Sequence, residues 1–174
     1  DYSPSGKLPV TFYRSVEDLP AFTDYSMKGR TYRYMETEPL YPFGFGLTYS
    51  RVELRNLRIR NKVTKDSDIQ LTVEIKNTGN YDTDEVVQFY IKDKYSKYAV
   101  SNPCLCGFQR IHLNKGENRV VESMIPNKAM NIVDGEGNRY LDSKHFTVFA
   151  GISQPDKRSA ALTGMQPLSV DINL

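Results

Sequence analysis

The part of the chain after residue 50 alternates apolar and polar residues with a period of two. Between residues 69 and 76, isoleucine, leucine and valine alternate with glutamine, threonine, glutamate and lysine. This is the pattern of a strand with one buried and one exposed face. Three similar runs and three weaker ones accompany it, at residues 87–91, 146–152, 168–174, 52–60, 105–113 and 119–125.

Clusters of turn-forming residues separate these runs, at residues 77–80, 114–117 and 134–138. No helical periodicity of useful length occurs between them. Seven or eight strands over roughly 120 residues predict an all-β fold, an antiparallel β-sandwich of the immunoglobulin type. In the first strand the apolar phase slips between Leu54 and Leu57, which predicts a β-bulge.

The first 50 residues differ from the rest of the chain. They hold five of the nine prolines, and short apolar runs at 8–12 and 18–22 read as extended pieces between turns. We therefore expect a loop-rich, extended segment over residues 1–50, followed by the sandwich over residues 51–174. The apolar residues of this segment need a partner surface.

An aromatic run between residues 32 and 49 is the most unusual part of this segment. It contains two glycines, two prolines and six aromatic residues: Tyr32, Tyr34, Tyr41, Phe43, Phe45 and Tyr49. Glycine and proline disfavour a helix or a central strand, yet the run is too apolar for a solvated linker. The run predicts an irregular, buried connector whose rings seal one structural unit against another. We expect the chain to be the end of something larger.

Charge and composition exclude several functions. With 23 basic and 21 acidic residues, and no block of like charge, nucleic acid is not an expected partner. No apolar run approaches the roughly 20 residues of a membrane span. The chain starts at Asp1 without a leader, so we expect a preceding part. Cys104 and Cys106 are expected to be free thiols on one strand face, which favours a cytoplasmic location over secretion.

Pairs of carboxylates were weighed as glycoside-hydrolysing groups, which in retaining enzymes stand roughly 5–5.5 Å apart. The acidic clusters all fall in predicted turns, where aspartate caps backbone donors and stays solvated. These clusters are Asp66 with Asp68, Asp82 with Asp84 and Glu85, and Asp134 with Glu136. Solvated turn acids are therefore the favoured interpretation, and we expect no catalytic residue in this chain.

Two metal sites were also considered. A calcium loop would use Asp134, Glu136, Asn138 and Asp142, but the flanking helices and full ligand spacing are missing. A zinc site would use Cys104, Cys106, His112 and His145, but only one close ligand pair is present. A connecting turn, core thiols and ordinary strand histidines are favoured instead. We expect no metal and no cofactor.

A sugar-stacking face is conceivable where tyrosines and lysines interleave, at Tyr90, Tyr95 and Tyr98 with Lys92, Lys94 and Lys97. Tryptophan, the largest stacking platform, is absent from the sequence. Tyrosines on sheet faces commonly serve as packing residues. No serine, cysteine or histidine has the local setting of an activated nucleophile.

Several motifs together resemble glycoside hydrolase family 3. The segments 3–12 (SPSGKLPVTF), 29–34 (GRTYRY) and 40–49 (LYPFGFGLTY) resemble motifs at the end of that family's α/β sandwich domain, in the same order. The segments 76–79, 85–90 and 105–111 resemble motifs of its fibronectin type III-like terminal domain. The resemblance covers essentially the whole chain.

This resemblance implies a parent enzyme that releases sugars from the non-reducing ends of β-linked glycosides with retention. Its catalytic carboxylates belong to an N-terminal barrel and the early α/β sandwich domain, neither of which is represented here. The GRTYRY version leans towards β-xylosidases over β-glucosidases. The expected role is a structural, stabilising domain, inactive alone, that packs against the barrel and α/β sandwich domains of the parent. A carbohydrate-binding module and a homodimerisation domain are the alternatives.

Overall fold

The computed structural model describes residues 2–174. It contains nine strands: β1 (Val52–Ile59), β2 (Ile69–Asn77), β3 (Thr83–Asp93), β4 (Cys104–Leu113), β5 (Asn118–Ile125), β6 (Ile132–Val133), β7 (Arg139–Tyr140), β8 (His145–Gly151) and β9 (Leu168–Asn173). Two short α-helices, α1 (Thr31–Tyr34) and α2 (Lys157–Thr163), and 3-10 turns at Val16–Asp18 and Asn127–Met130 complete the elements.

The strands form two antiparallel sheets that face each other. One sheet has the order β1-β2-β5 and the other the order β4-β3-β8-β9, while β6 and β7 pair as a separate hairpin. Seven strands in a three-plus-four arrangement are typical of immunoglobulin-like sandwiches. The predicted fold class is therefore confirmed.

The core lies between the sheets and uses the residues that the alternation placed on one face. Ile69, Leu71, Val73 and Ile75 of β2 are completely or almost completely buried. Opposite them lie side chains of the four-stranded sheet such as Phe89. The predicted bulge in β1 is present, because its register with β2 shifts between Arg55 and Arg58.

Helix α2 was missed by the pattern analysis. Its seven residues are too few for a clear apolar stripe, and its ends are set by local chemistry. Asp156 caps it by accepting from the Ser159 backbone N–H at 2.6 Å, and Gly164 ends it in a left-handed conformation. No helix in residues 2–174 has the length and apolarity that crossing a membrane requires.

The N-terminal segment, residues 2–50, has little regular structure, as expected from its prolines and glycines. It forms an isolated strand-like bridge between Phe12 and Tyr41. The Phe12 N–H donates to the Tyr41 carbonyl at 2.9 Å, and the Leu40 N–H donates to the Phe12 carbonyl at 2.8 Å. The segment nevertheless lies against the sandwich rather than apart from it.

Candidate interdomain interface

The N-terminal segment covers the outer face of the four-stranded sheet. Alternation along β3 directs Gln88 and Tyr90 away from the core between the sheets, yet these two side chains are only 2% and 0% exposed. The residues that cover them come from the aromatic run. The middle of β3 is therefore buried on both faces, which explains its nearly unbroken apolar run from residue 86 to 91.

A polar cluster joins the segment to this sheet. The Gln88 side-chain amide donates to the Gly44 carbonyl at 2.9 Å and to the Ile152 carbonyl at 3.0 Å. Its carbonyl oxygen accepts from the Tyr90 hydroxyl at 2.6 Å. Burial raises the pKa of the Tyr90 phenol far above its ordinary value, so Tyr90 stays a neutral donor. The buried polar groups thus satisfy one another.

Stacked rings surround this cluster. Tyr32 stacks on Phe43 with 4.2 Å between the ring centroids, and it meets Tyr90 edge to face at 6.4 Å. The Tyr32 hydroxyl accepts from the Leu105 backbone N–H at 3.0 Å, which ties helix α1 to strand β4. Such ring pairs contribute stability beyond their buried area. Tyr32 and Phe43 of the aromatic run thus pack against the sandwich, and the second unit of the predicted junction stays a prediction.

Two glycines allow the backbone to approach this closely. Gly44 has φ of +76°, and a Cβ there would overlap the Gln88 side chain and lie 2.9 Å from the Tyr90 hydroxyl. A Cβ at Gly46 would overlap the backbone carbonyl of Gly6. A side chain at Gly44 would therefore push the segment off the sheet, whereas one at Gly46 would separate two stretches of the segment itself.

A buried ion pair anchors the beginning of the segment. Lys7 Nζ lies 2.6 Å from Glu85 Oε1, and the two side chains are 12% and 1% exposed. Glu85 Oε1 also accepts from the Val86 backbone N–H at 2.7 Å. Nearby, the hydroxyls of Ser3, Thr48 and Thr83 form a triangle with sides of 2.8–3.0 Å. Both ends of the segment are therefore fastened to β3.

The other side of the segment is apolar and uncovered. Twelve of the nineteen exposed large hydrophobic side chains lie in residues 2–50. Phe22 and Tyr25 are 94% and 90% exposed, and the outward rings of Phe12 and Tyr41 meet edge to face at 6.2 Å. We call the set the outer apolar surface: Tyr2, Val10, Phe12, Val16, Leu19, Phe22, Tyr25, Met27, Leu40, Tyr41, Leu47 and Tyr49.

The loop that carries the most exposed of these rings is ordered by its own polar contacts. Arg30 donates to the Ala21 carbonyl at 3.1 Å and to the Asp24 carbonyl at 2.6 Å. The Tyr13 hydroxyl donates to the Gly29 carbonyl at 2.7 Å. The loop thus holds Phe22 and Tyr25 outward in a defined shape rather than letting them fold back onto the sandwich.

The acidic clusters are only partly the solvated turn acids that were predicted. Asp84 and Glu85 lie on β3, and Glu85 is buried against Lys7. The prediction of turn acids was wrong for these two residues, because both lie on a strand, and for Glu85 a lysine distant in sequence supplies the charge that permits burial. Asp84 accepts from His112 and Arg110, and these contacts hold its pKa below the usual range. The remaining acids, Asp66, Asp68, Asp82, Asp134 and Glu136, lie in loops.

The residues of the two conceivable metal sites do not assemble as ligand sets. Asp134 caps the β6–β7 turn by accepting from the backbone N–H groups of Glu136 and Asn138, whereas Asp142 accepts from Ser96. His112 lies beside Asp84, and His145 bonds Asn173. Among residues 2–174, no three histidine, cysteine or acidic side chains converge as metal ligands would.

The two thiols and Tyr90 are packing residues, whereas Tyr95 is exposed. Cys104 and Cys106 are free, and burial raises the pKa of the Cys106 thiol to about 12. Tyr90 is not part of an exposed sugar-stacking face, since it lies under the aromatic run. Tyr95 is exposed and meets the ring of His145, while Tyr98 lines a cleft described below.

The residues of this interface that pattern reading missed are Lys7 and Gln88. Each is a polar residue whose partner is distant in sequence, and Glu85 and Gly44 give no local sign of the pairing. One signal was available: a glutamine inside an otherwise apolar strand run indicates burial on both faces and a polar partner.

Comparison with known proteins agrees with both halves of the chain. Residues 1–49 match the glycosyl hydrolase family 3 C-terminal domain, and residues 85–154 match the fibronectin type III-like domain. The fold and these matches thus define a fibronectin type III-like β-sandwich preceded by a segment of the glycosyl hydrolase family 3 C-terminal domain. The chain belongs to glycoside hydrolase family 3 and corresponds to the C-terminal portion of its members.

Individual relatives are β-xylosidases and β-glucosidases. A putative β-xylosidase from Formosa agariphila is 41% identical over 92% of this chain, and a xylan 1,4-β-xylosidase from Xylanibacter ruminicola is 32% identical over 94%. A β-glucosidase structure from Erythrobacter marinus, 28% identical, covers 99% of the chain with a TM-score of 0.78. The chain spans only 22%, 19% and 22% of these three proteins, respectively.

Proposed function

We propose that this chain is the C-terminal structural domain of a longer retaining, exo-acting β-glycosidase that removes sugars from the non-reducing ends of β-linked oligosaccharides. We favour β-xylosidase over β-glucosidase activity, and the two β-xylosidase relatives support this choice. In this role the chain performs no hydrolysis by itself. Its partners are the barrel and the remainder of the α/β sandwich domain in the same polypeptide.

The outer apolar surface carries this proposal. Exposed large hydrophobic side chains are concentrated in this segment, which holds twelve of the nineteen in residues 2–174, and such a concentration favours a surface that a partner covers. The chain spans only 22% and 19% of its two β-xylosidase relatives, so the remaining part of such a longer protein is the cover that we propose. The inner face of the same segment is already occupied by the sandwich. The segment then connects the two units by contacting both.

Activity measurements on two proteins test the catalytic part of the proposal. We expect the purified 174-residue chain to leave aryl β-xylosides and aryl β-glucosides intact, and the full-length protein to hydrolyse at least one of them. The physical reason is that a retaining enzyme needs two opposed carboxylates. Among the candidate acids, the buried one, Glu85, is neutralised by Lys7. Turnover by the 174-residue chain, free of contaminating enzyme, would refute the proposal.

Substitutions in the outer apolar surface test the interface. In the full-length protein, replacing Phe12 and Tyr41 with serine should lower the unfolding temperature, because the rings would lose their cover. The same double substitution in the 174-residue chain should have a smaller effect and should reduce self-association in light scattering. A full-length protein that is unaffected, together with a chain that forms a stable dimer of defined size, would favour the homodimerisation alternative.

A further inference from the structure

A cleft of about 520 Å³ lies beside the junction and plays no part in the proposed interface. Its walls come from α1, the second half of β3, the loop before β4, the 3-10 turn Asn127–Met130 and the β6–β7 hairpin. This volume falls in the range of about 300–1,000 Å³ that is typical of small-molecule sites. Five elements distant in sequence converge there.

Four cationic side chains line this cleft: Arg33, Lys92, Lys128 and Arg139. Within residues 2–174, none of the four forms an ion pair, although six other lysines and arginines do. Arg33 and Lys92 line the cleft together with Cys104. Unpaired cations around one concave surface favour an anionic ligand.

Lys92 is the most buried of these cations. Its ammonium donates to the backbone carbonyls of Val100 and Ser101, and burial lowers its pKa. An ammonium has three donors, so one remains for a ligand. An anion bound in the cleft would offset the cost of burying this charge.

The cleft also contains groups that suit a hydroxylated ring. Asp93 Oδ1 accepts from the backbone N–H groups of Tyr95 and Ser96 at 3.0 Å each, but its buried Oδ2 has no partner in residues 2–174. A buried carboxylate oxygen needs a donor, which a sugar hydroxyl supplies and a fully ionised phosphate does not. Tyr34 and Tyr98 add phenol groups to the walls.

We propose that this cleft binds a small carbohydrate that carries a carboxylate, such as a hexuronate. The unpaired cations attract the carboxylate, while Asp93 accepts from a ring hydroxyl. This site is independent of the proposed catalytic role of the parent, because it uses only residues of this chain.

Titration of the 174-residue chain at low ionic strength tests the proposal with three probes: D-glucuronate, D-glucose and inorganic phosphate. We expect saturable chemical-shift changes with glucuronate, with an affinity at least about tenfold higher than that for glucose, because only glucuronate meets the unpaired cations. Equal affinity for glucuronate and glucose, or no saturable change with either, would overturn the proposal. Phosphate binding as tightly as glucuronate would overturn the sugar assignment.

Matched variants locate the site. Replacing the exposed cations Lys128 and Arg139 with glutamine should weaken glucuronate binding about fivefold, since two solvent-accessible charges are removed. Replacing Lys62 and Lys65, two exposed lysines outside the cleft, makes the same change in net charge and should leave the affinity unchanged. Equal weakening by both pairs would show a general charge effect and contradict the cleft.

Asp93→Asn separates a sugar from a bare anion. The substitution keeps Oδ1 for the Tyr95 and Ser96 backbone donors but removes the negative charge and the unpartnered acceptor. We expect glucuronate affinity to fall and phosphate affinity to rise. A rise in both affinities would mean that Asp93 merely repels anions, which would refute its role as a hydroxyl acceptor. Thermal unfolding of each variant checks that the fold is retained.

Discussion

The β-sandwich and the N-terminal segment use apolar residues in opposite ways. In the sandwich, the apolar side of each strand finds its partner inside the molecule, so side chains such as Val73 and Phe89 are fully buried. In residues 2–50 the apolar residues divide between an inner side on the four-stranded sheet and the outer apolar surface. Because only its inner side is packed within this chain, we expect the outer side of the segment to contact a second unit.

This comparison predicts that burial, rather than residue type, decides the cost of removing a ring. Phe89→Ala should lower the free energy of unfolding of the chain by about 3–5 kcal/mol, because it opens a cavity in the core. Phe22→Ala, at a site 94% exposed, should change it by no more than about 0.5 kcal/mol. Urea denaturation measures both. Similar costs at the two sites would mean that the segment's outer side is already packed in this chain.

Removing only one partner of the Lys7–Glu85 ion pair should be a costly change at the contact between the two regions. Lys7→Met should destabilise the chain by about 3 kcal/mol, because Glu85 would remain buried without a compensating charge. The double variant Lys7→Met with Glu85→Leu should recover most of this loss, which equilibrium unfolding can measure. No recovery would show that the pair itself, rather than the relief of a buried charge, stabilises the junction.

Substitutions at two glycines distinguish the cost of disturbing the close packing of the segment on the sheet from the cost of backbone strain alone. Gly44 and Gly116 have φ of +76° and +77°, but only at Gly44 would a Cβ meet other atoms. Gly116→Ala should cost about 1 kcal/mol from strain alone. Gly44→Ala should cost about 2–4 kcal/mol, because the new methyl group displaces Gln88 and Tyr90. Equal losses in thermal unfolding would contradict the tight junction described here.

The smallest expected effect concerns Asp84 at the edge of the covered sheet. His112 and Arg110 lower its pKa in the folded state, so its ionised form stabilises the fold above its unfolded pKa of about 4. Asp84→Asn should cost up to about 1 kcal/mol at pH 7. This difference from the unsubstituted chain should shrink as the pH falls below about 4. A difference that stays constant from pH 7 to pH 3 would exclude this titration as its cause.

The sequence predicted the strands because the alternation of apolar and polar residues that forms them is a property of neighbouring positions. Alternation in β2 predicts a half-buried strand, and the phase slip after Leu54 predicts the bulge. It failed for Glu85, which was taken as a turn acid, because the partner that permits its burial lies 78 positions earlier in the chain. It failed for helix α2 because seven residues carry too little periodicity, although the Asp156 and Gly164 caps were readable.

The candidate sites could be predicted only in outline. The density of rings with glycines and prolines indicated that residues 32–49 form a junction. Whether a given ring faces inward, as Tyr32 does, or outward, as Tyr41 does, depends on the backbone path around Gly44 and Gly46. The cleft cations come from four elements whose convergence no local pattern encodes.

The sequence by itself determined the two-part organisation, the all-β class, the positions of most strands and the family, because alternation, turn chemistry and ordered motifs are properties of neighbouring residues. Only the tertiary structure decided that β3 is covered on both faces at Gln88 and Tyr90, that Glu85 is neutralised by Lys7, and that twelve large hydrophobic side chains of the segment stay uncovered. Those outcomes depend on which distant residues meet. The aromatic run predicts a junction, and the tertiary packing determines which of its rings face the sandwich and which face outward.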